Sequence, residues 1–515
     1  MKRLWDKGEP LDARILRYTA GEDHLLDARL VPYDVRASIA HARMLHGQKL
    51  LSAVDMQQII TGLESLAVAH AAGEWQIALE DEDCHTALEQ RLTRMIGEAG
   101  GRVHLGRSRN DQVLVALRLY LLDAAEGLAA SARDVATALD ELGTREKATA
   151  LPGYTHMQQA MPSSVPLWAG GFAAELRDDA EGIASSRRRL SKSPLGSAAG
   201  YGVPGLPIDR EATRRTLQFD AVHEPVTAVQ ISRGKGEAGL VFELCLLTQD
   251  LGRMAADLLL FYTQEFRFIA LPDTMTTGSS IMPQKRNPDV LELVRGAVPT
   301  MQAALVEILG LPAKLGSGYQ RDLQRMKSPL FRAVDLAGDS AQIMAHLIRG
   351  LKFLPANIHL DDSIHAAERA NALVLKEGIS FREAYQRVGC GPRKAATRLV
   401  GPWSAGSSSP LIASLGELGA LTPDDAEALA GRRFHHHPGV HLLDALGPDR
   451  LQAPHFRFDI IGFDVQVHAT RVRDRLDLDV QCVVARIHEL DVRLPFFPGQ
   501  MLDLHAERTT PEPGG

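Results

Sequence analysis

Residues 111–144 read DQVLVALRLYLLDAAEGLAASARDVATALDELGT, with no proline. Val113, Leu114, Leu117, Leu121, Ala124, Ala125 and Leu128 recur at the three- and four-residue spacing of one helix face. The spacing predicts a single helix about 50 Å long, at about 1.5 Å per residue. Similar runs cover 166–190, 234–266, 288–309 and 323–351. Each is rich in Ala, Leu, Glu and Arg, which favour helix. Several are apolar around most of their circumference, as helices buried in a bundle are. Between them lie polar stretches rich in Gly, Pro, Ser and Thr at 101–110, 151–165, 194–207 and 272–287. The expectation is a mainly α, elongated long-helix bundle with loops carrying the chemistry at the helix ends.

The 515 residues exceed the size at which single cores stop growing, about 250–300 residues, so several domains are expected. A net charge of -7 argues against a nucleic-acid binder. Cys84, Cys245, Cys390 and Cys482 form no CxxC pair, which argues against a disulfide framework or a zinc site. The start, MKRLWDKGEP, lacks the apolar run of a signal peptide, and no stretch reaches the length of a membrane span. A cytoplasmic protein is expected. No Walker loop or dinucleotide fingerprint occurs, so no cofactor is expected.

Residues 278–288, GSSIMPQKRNP, are the most informative for chemistry. A glycine and two serines precede a lysine and an Asn-Pro. The pattern suits a loop that holds an anion and presents a reactive hydroxyl. Asn287, Pro288 and Asp289 read as a helix start, with Asn287 as N-cap. Three further segments carry polar groups: DEDCHT at 81–86, GRSRNDQ at 106–112 and GYTHMQ at 153–158. Together they offer Arg and Lys for carboxylates and Ser, Thr and Asn as neutral donors. That set suits a small, multiply anionic substrate.

On these residues the chain resembles the fumarase/aspartase superfamily. GSSxMPxKxNP is that superfamily's signature. GRSRNDQ, PGYTHxQ and Pro194–Tyr201 (PLGSAAGY) make it similar to the argininosuccinate lyase branch. The resemblance covers about residues 1–390 and includes Tyr33-Asp34. It implies β-elimination of argininosuccinate to arginine and fumarate, the last step of arginine biosynthesis. It implies Ser279 as catalytic base, Lys285 and Asn287 as stabilisers of the aci-carboxylate, and His156 as a second catalytic residue held by Glu292. Ser108, Arg109, Asn110, Thr155, His85, Thr86, Tyr319, Gln324 and Lys327 match substrate-binding positions. The resemblance also implies a three-domain fold and a homotetramer. Its helices pool into a central bundle of twenty, and each site draws on three subunits. The domains expected are 1–110, 111–355 with the catalytic loops, 356–411 with a linker, and 412–515.

The chain departs from the family pattern at Leu4–Glu9 and Tyr18–Asp23, the segments near the amino-acid end of the substrate. Arg325-Met326 replaces an acidic pair. Beyond about residue 390 the likeness is lost. There Phe456, Phe458 and Ile460, and separately Leu476–Val484, alternate as strands do, so a C-terminal extension with β-strands is expected. His435–His437 lacks a carboxylate at ligand spacing, so no metal is expected. The alternatives are another fumarate-releasing lyase, adenylosuccinate lyase or aspartase-like, and a non-catalytic structural relative.

Overall fold

The computed structural model describes residues 12–389 and four short strands at His455–Ile460, Phe463–His468, Leu494–Pro495 and Met501–Leu502. Two compact units divide the chain, Met1–Arg393 and Lys394–Gly515.

The expected long helix runs Arg109–Arg145, 37 residues, or about 55 Å. Its start is fixed twice. Ser108 Oγ accepts from the Asn110 N–H, and Asp111 Oδ1 accepts from the Ser108 N–H. Asp111 Oδ2 also accepts from Gly196 and Ala198, tying the loop at 194–202 to the helix mouth. Against this helix pack Val165–Ser185 and Lys327–Gly350, while Lys235–Tyr262 packs against Asp289–Gly310. Along Lys235–Tyr262 the buried residues Leu240, Leu244, Leu247, Leu251, Met254 and Leu258 alternate four- and three-residue steps. That is the seam of a coiled-coil-like contact. Gly252 lets the neighbour approach: a Cβ there would meet Val298 Cγ2 at 2.8 Å.

In the first hundred residues, Val31–Gly47, Ala53–Ala71 and Cys84–Ile96 pack together around Leu45, Ile59, Leu88 and Leu92. Among the described residues, no helix is long and apolar enough to cross a membrane.

Two expectations need correction. Residues 151–165 are not a loop: Ala150–Thr155 and Gln158–Ser164 form an antiparallel hairpin. Its Gly, Pro and Ser content masked the strands, which form an isolated two-stranded ribbon instead of entering a larger sheet. Nor is Asn287 an N-cap. The helix Asp289–Gly310 is preceded by Pro288, with no side-chain cap. Asn287 is held by a bridge to Thr277, and its amide donates to Gly278 O at 3.3 Å. The side chain bonds weakly within the loop and does not cap the helix. The strand expected around Phe456, Phe458 and Ile460 is present, paired with Phe463–His468. Leu476–Val484, His435–His437 and the linker from residue 390 onward lie outside the described residues.

Asp179, on Val165–Ser185, is buried with Oδ2 unpartnered. Burial, and then the carboxylates of Asp250, Asp178, Glu175 and Glu243, push it up to about 7. The folded chain therefore binds a proton that the unfolded chain releases near pH 3.8, and stability falls as pH rises between these values. Asp179→Asn should raise the melting temperature, by an increment that grows from pH 4 to pH 7. An increment independent of pH would contradict this. Leu244→Ala should cost about 2–5 kcal/mol in urea unfolding.

Candidate active site

One cavity of about 490 Å³ opens beside the start of the long helix. Six of the expected site residues line it: Thr86, Arg109, Asn110, Tyr319, Gln324 and Lys327. They come from three separate parts of the chain. Asp83 caps the helix Cys84–Ile96 through the Thr86 N–H at 2.7 Å, which sets Thr86 on the wall. Ser108 caps the long helix and so presents Arg109 and Asn110 on its first turn. Tyr319 and Gln324 lie in the connection leading into Lys327–Gly350.

Arg109 donates to Thr86 Oγ1 at 3.2 Å and to Gln112 Oε1 at 3.0 Å, with Asp83 and Glu89 at 3.7 and 3.8 Å. Burial alone would raise the Asp83 carboxyl. Arg109 foremost, then His85 and the Thr86 N–H, hold it well below the usual carboxylate range.

Lys327 is buried, and its Nζ donates to Asp27 Oδ1 at 2.7 Å and Asp23 Oδ2 at 2.9 Å. A cation on the first residue of a helix is opposed by the helix dipole. The two aspartates offset that and raise the ammonium pKa despite burial. Burial, only partly countered by Lys327 and reinforced by Asp27, raises Asp23. The segment Tyr18–Asp23 reaches the site here: Thr19 O and Ala20 O accept from Gln324 Nε2 at 2.9 and 3.2 Å.

His85 is not on the cavity wall. It is fully buried beneath it, with Nδ1 3.2 Å from Asp34 Oδ2. Neither ring nitrogen makes a well-aligned hydrogen bond, so the contact is an electrostatic pairing. Asp34 also accepts from Gln112 Nε2 at 3.1 and 3.2 Å. Burial would raise the Asp34 carboxyl, but His85, Arg107 and Gln112 together lower it. His85 thus braces the floor. Asp27, Cys84 and His85 bring three potential metal donors within 4.8 Å. The Lys327 ammonium already occupies the Asp27 carboxylate, so this set favours an ion-pair cluster over a metal.

The remaining expected residues lie elsewhere on the chain. Ser279 is half-buried in the loop 276–287, and its Oγ accepts from the Ile281 and Met282 N–H groups at 3.3 and 3.2 Å. Lys285 is exposed in the same loop, and Glu292 is exposed on the first turn of Asp289–Gly310. Thr155 and His156 are exposed at the hairpin tip. His156 and Met157 have φ of 51° and 59°, the two left-handed residues of a two-residue hairpin turn. Non-glycine residues held there cost about 1–3 kcal/mol each, a strain that clusters at functional sites. Among the described residues, no hydrogen bond joins His156 to Glu292, and none of Ser279, Lys285, Asn287, Thr155 or His156 lines the cavity.

A family model described as "Lyase" matches residues 12–302. The argininosuccinate lyase of Sorangium cellulosum is 44% identical over 437 residues, 84% of this chain and 99% of that one. The chain belongs to the argininosuccinate lyase family. The argininosuccinate lyase of Thermotoga neapolitana is 37% identical over 396 residues, 75% of this chain and 97% of that protein. A Sorangium match covering 84% of the chain runs past residue 390, so likeness to the argininosuccinate lyases extends further than the motifs alone suggest. Among solved structures, EDDS lyase in complex with formate aligns with a TM-score of 0.62 at 24% identity, covering 74% of this chain and 76% of that one. A fumarate lyase:delta crystallin from Brucella melitensis aligns with a TM-score of 0.61 at 17% identity, covering 76% and 93%. These share the fold.

Reading the sequence alone placed Asp23 only within the segment Tyr18–Asp23, with no role of its own, and missed Asp27 and Arg233, which shape the cavity or its floor. The aspartates are 304 and 300 residues from their lysine, beyond the reach of any spacing rule. Lys327→Met should destabilise the chain by about 3–5 kcal/mol at pH 7, because it leaves two buried carboxylates unpaired. Those carboxylates then favour their protonated forms, so the deficit should shrink as pH falls towards 4. Urea titrations at both pH values check this, and a deficit constant with pH would contradict it.

Proposed function

We propose that the protein cleaves argininosuccinate to arginine and fumarate, with Ser279 as the base. The observation that carries this is the environment of Ser279 Oγ. Two backbone N–H groups converge on it at 3.3 and 3.2 Å, with Lys285 in the same loop. Donors aimed at an oxygen favour its charged form, which lowers the cost of an alkoxide. That oxygen takes the proton from the succinyl carbon next to a carboxylate. The electron pair of that C–H bond moves first onto the carboxylate, and then forms the carbon–carbon double bond of fumarate as the C–N bond breaks and its pair leaves with nitrogen. The intermediate places extra charge on the carboxylate, and Lys285 and the Asn287 amide are the donors for it. His156, paired with Glu292 of another subunit in the assembly proposed below, carries the proton to the leaving guanidino nitrogen. Ser108, Thr155 and Asn110 bind the succinyl end. Thr86, Arg109, Tyr319, Gln324 and Lys327 form the wall for the rest, with His85 beneath.

This reading includes a homotetramer whose sites combine segments of different subunits. Exposed catalytic residues support it, as do large apolar side chains left in solvent on the bundle helices, among them Phe242, Leu293, Val306 and Leu309. Such surface is uncommon on a monomer. A cytoplasmic setting accords with a biosynthetic role.

The test is fumarate absorbance on adding argininosuccinate to the purified protein. Turnover is expected, and Ser279→Ala should lower it by about 10³-fold or more without loss of fold. Turnover of adenylosuccinate or aspartate in its place would overturn the substrate. No turnover of any of them would favour a structural role.

A further inference from the structure

Arg233 ends the short turn before Lys235–Tyr262 and lines the cavity. The following Gly234 has φ +85°, and a Cβ there would meet Pro312 Cγ at 2.9 Å. The turn is thus pressed against the segment leading to Tyr319, and Arg233 has little freedom to leave. It is 4% exposed, yet among the described residues Nε and Nη1 have no hydrogen-bond partner. The Tyr319 ring lies 6.0 Å from the Arg233 Cζ. A buried guanidinium left unpaired is costly.

The other cations on the wall are satisfied within the chain. Lys327 has two aspartates, Arg109 has Thr86 and Gln112, and Arg321 donates to Thr19 O and Gln324 Oε1. Among the described residues, Arg233 alone of these four lacks both an ion pair and a side-chain hydrogen bond.

The charge of the wall selects which anion. Asp23, Glu82, Asp83 and Glu89 also face the cavity. A succinyl group, carrying two negative charges, would meet them unfavourably. An amino-acid end brings an ammonium for the acids and one carboxylate for Arg233. We infer that Arg233 binds the α-carboxylate of the amino-acid end of the substrate, so that this cavity selects arginine derivatives over decarboxylated ones. The inference rests on the lyase reading above and adds to it the residue that discriminates at that end.

L-Arginine and agmatine share the guanidinium and chain but differ in this carboxylate. Calorimetry on the wild-type protein should show arginine binding at least about 10-fold more tightly than agmatine. Arg233→Gln should weaken arginine by about 10- to 100-fold and leave agmatine within about twofold. Arg233→Lys should recover part of the arginine affinity. Thermal melts of both variants check the fold, and the wild-type comparison stands even if a variant fails to fold. No preference in the wild type, or equal loss of both ligands in Arg233→Gln, overturns the inference. The fumarate assay on the same preparation separates the two claims. Turnover without a preference for arginine defeats the role of Arg233 alone, whereas absence of turnover defeats the lyase reading.

Discussion

Lys327 holds its ammonium between Asp23 and Asp27, 2.9 and 2.7 Å away, at the first turn of the helix Lys327–Gly350. The contact crosses 300 residues of chain and ties the N-terminal segment to the central helices. Its cost is high, because three charges leave water and the helix dipole opposes the lysine. Replacing such a cluster with apolar side chains is often neutral or stabilising. Its persistence here is explained by its position, since Asp23 and Lys327 both face the cavity. A second buried cluster lies below, where Asp34 takes His85 and Gln112. It fixes the starts of Cys84–Ile96 and Arg109–Arg145 relative to one another. Arg109, Asn110 and Thr86 take their places on the wall from those helix starts.

The fold divides the labour. The cavity holds charges of both signs, while the Ser279 loop and the His156 hairpin tip, to which the proposed reading gives the elimination, lie off its wall. The long helices set this arrangement, because they carry loops at ends tens of ångströms apart and leave apolar side chains such as Leu293 in solvent. The hairpin tip accepts two left-handed non-glycine residues to present His156. Neither the strain nor the exposure stabilises a single chain, and both make sense if the tip inserts into a neighbour's site.

Much of this was legible in the sequence where the signal is periodic or local. The apolar recurrence from Val113 to Leu128 marked the long helix, and alternation at Phe456, Phe458 and Ile460 marked a strand. Ser108, Arg109 and Asn110 were legible as a group because one helix start presents them together. What failed did so for physical reasons. Gly153, Pro152 and Ser163 read as loop, yet a two-stranded ribbon tolerates them because it has no inner strands to disrupt. Asn287 looked like a cap, but its amide turns to Gly278 O in the loop, and no side chain caps the helix. His85 looked like a ligand residue, but Asp34 holds it under the floor. Arg233 carried no motif. Its significance lies in what it lacks, a hydrogen-bond partner among the described residues for Nε and Nη1.

The central claim is that recognition and chemistry sit on different parts of one chain and meet between copies. Mixing two inactive variants tests it most directly. Ser279→Ala removes the proposed base, and Arg109→Leu damages the cavity. After the two are mixed, unfolded together and refolded, hybrid assemblies should contain sites with an intact cavity from one chain and an intact Ser279 from another. The account predicts that fumarate production returns in the mixture although each variant alone is inactive. A mixture that forms hybrids yet stays as inactive as its components would contradict it.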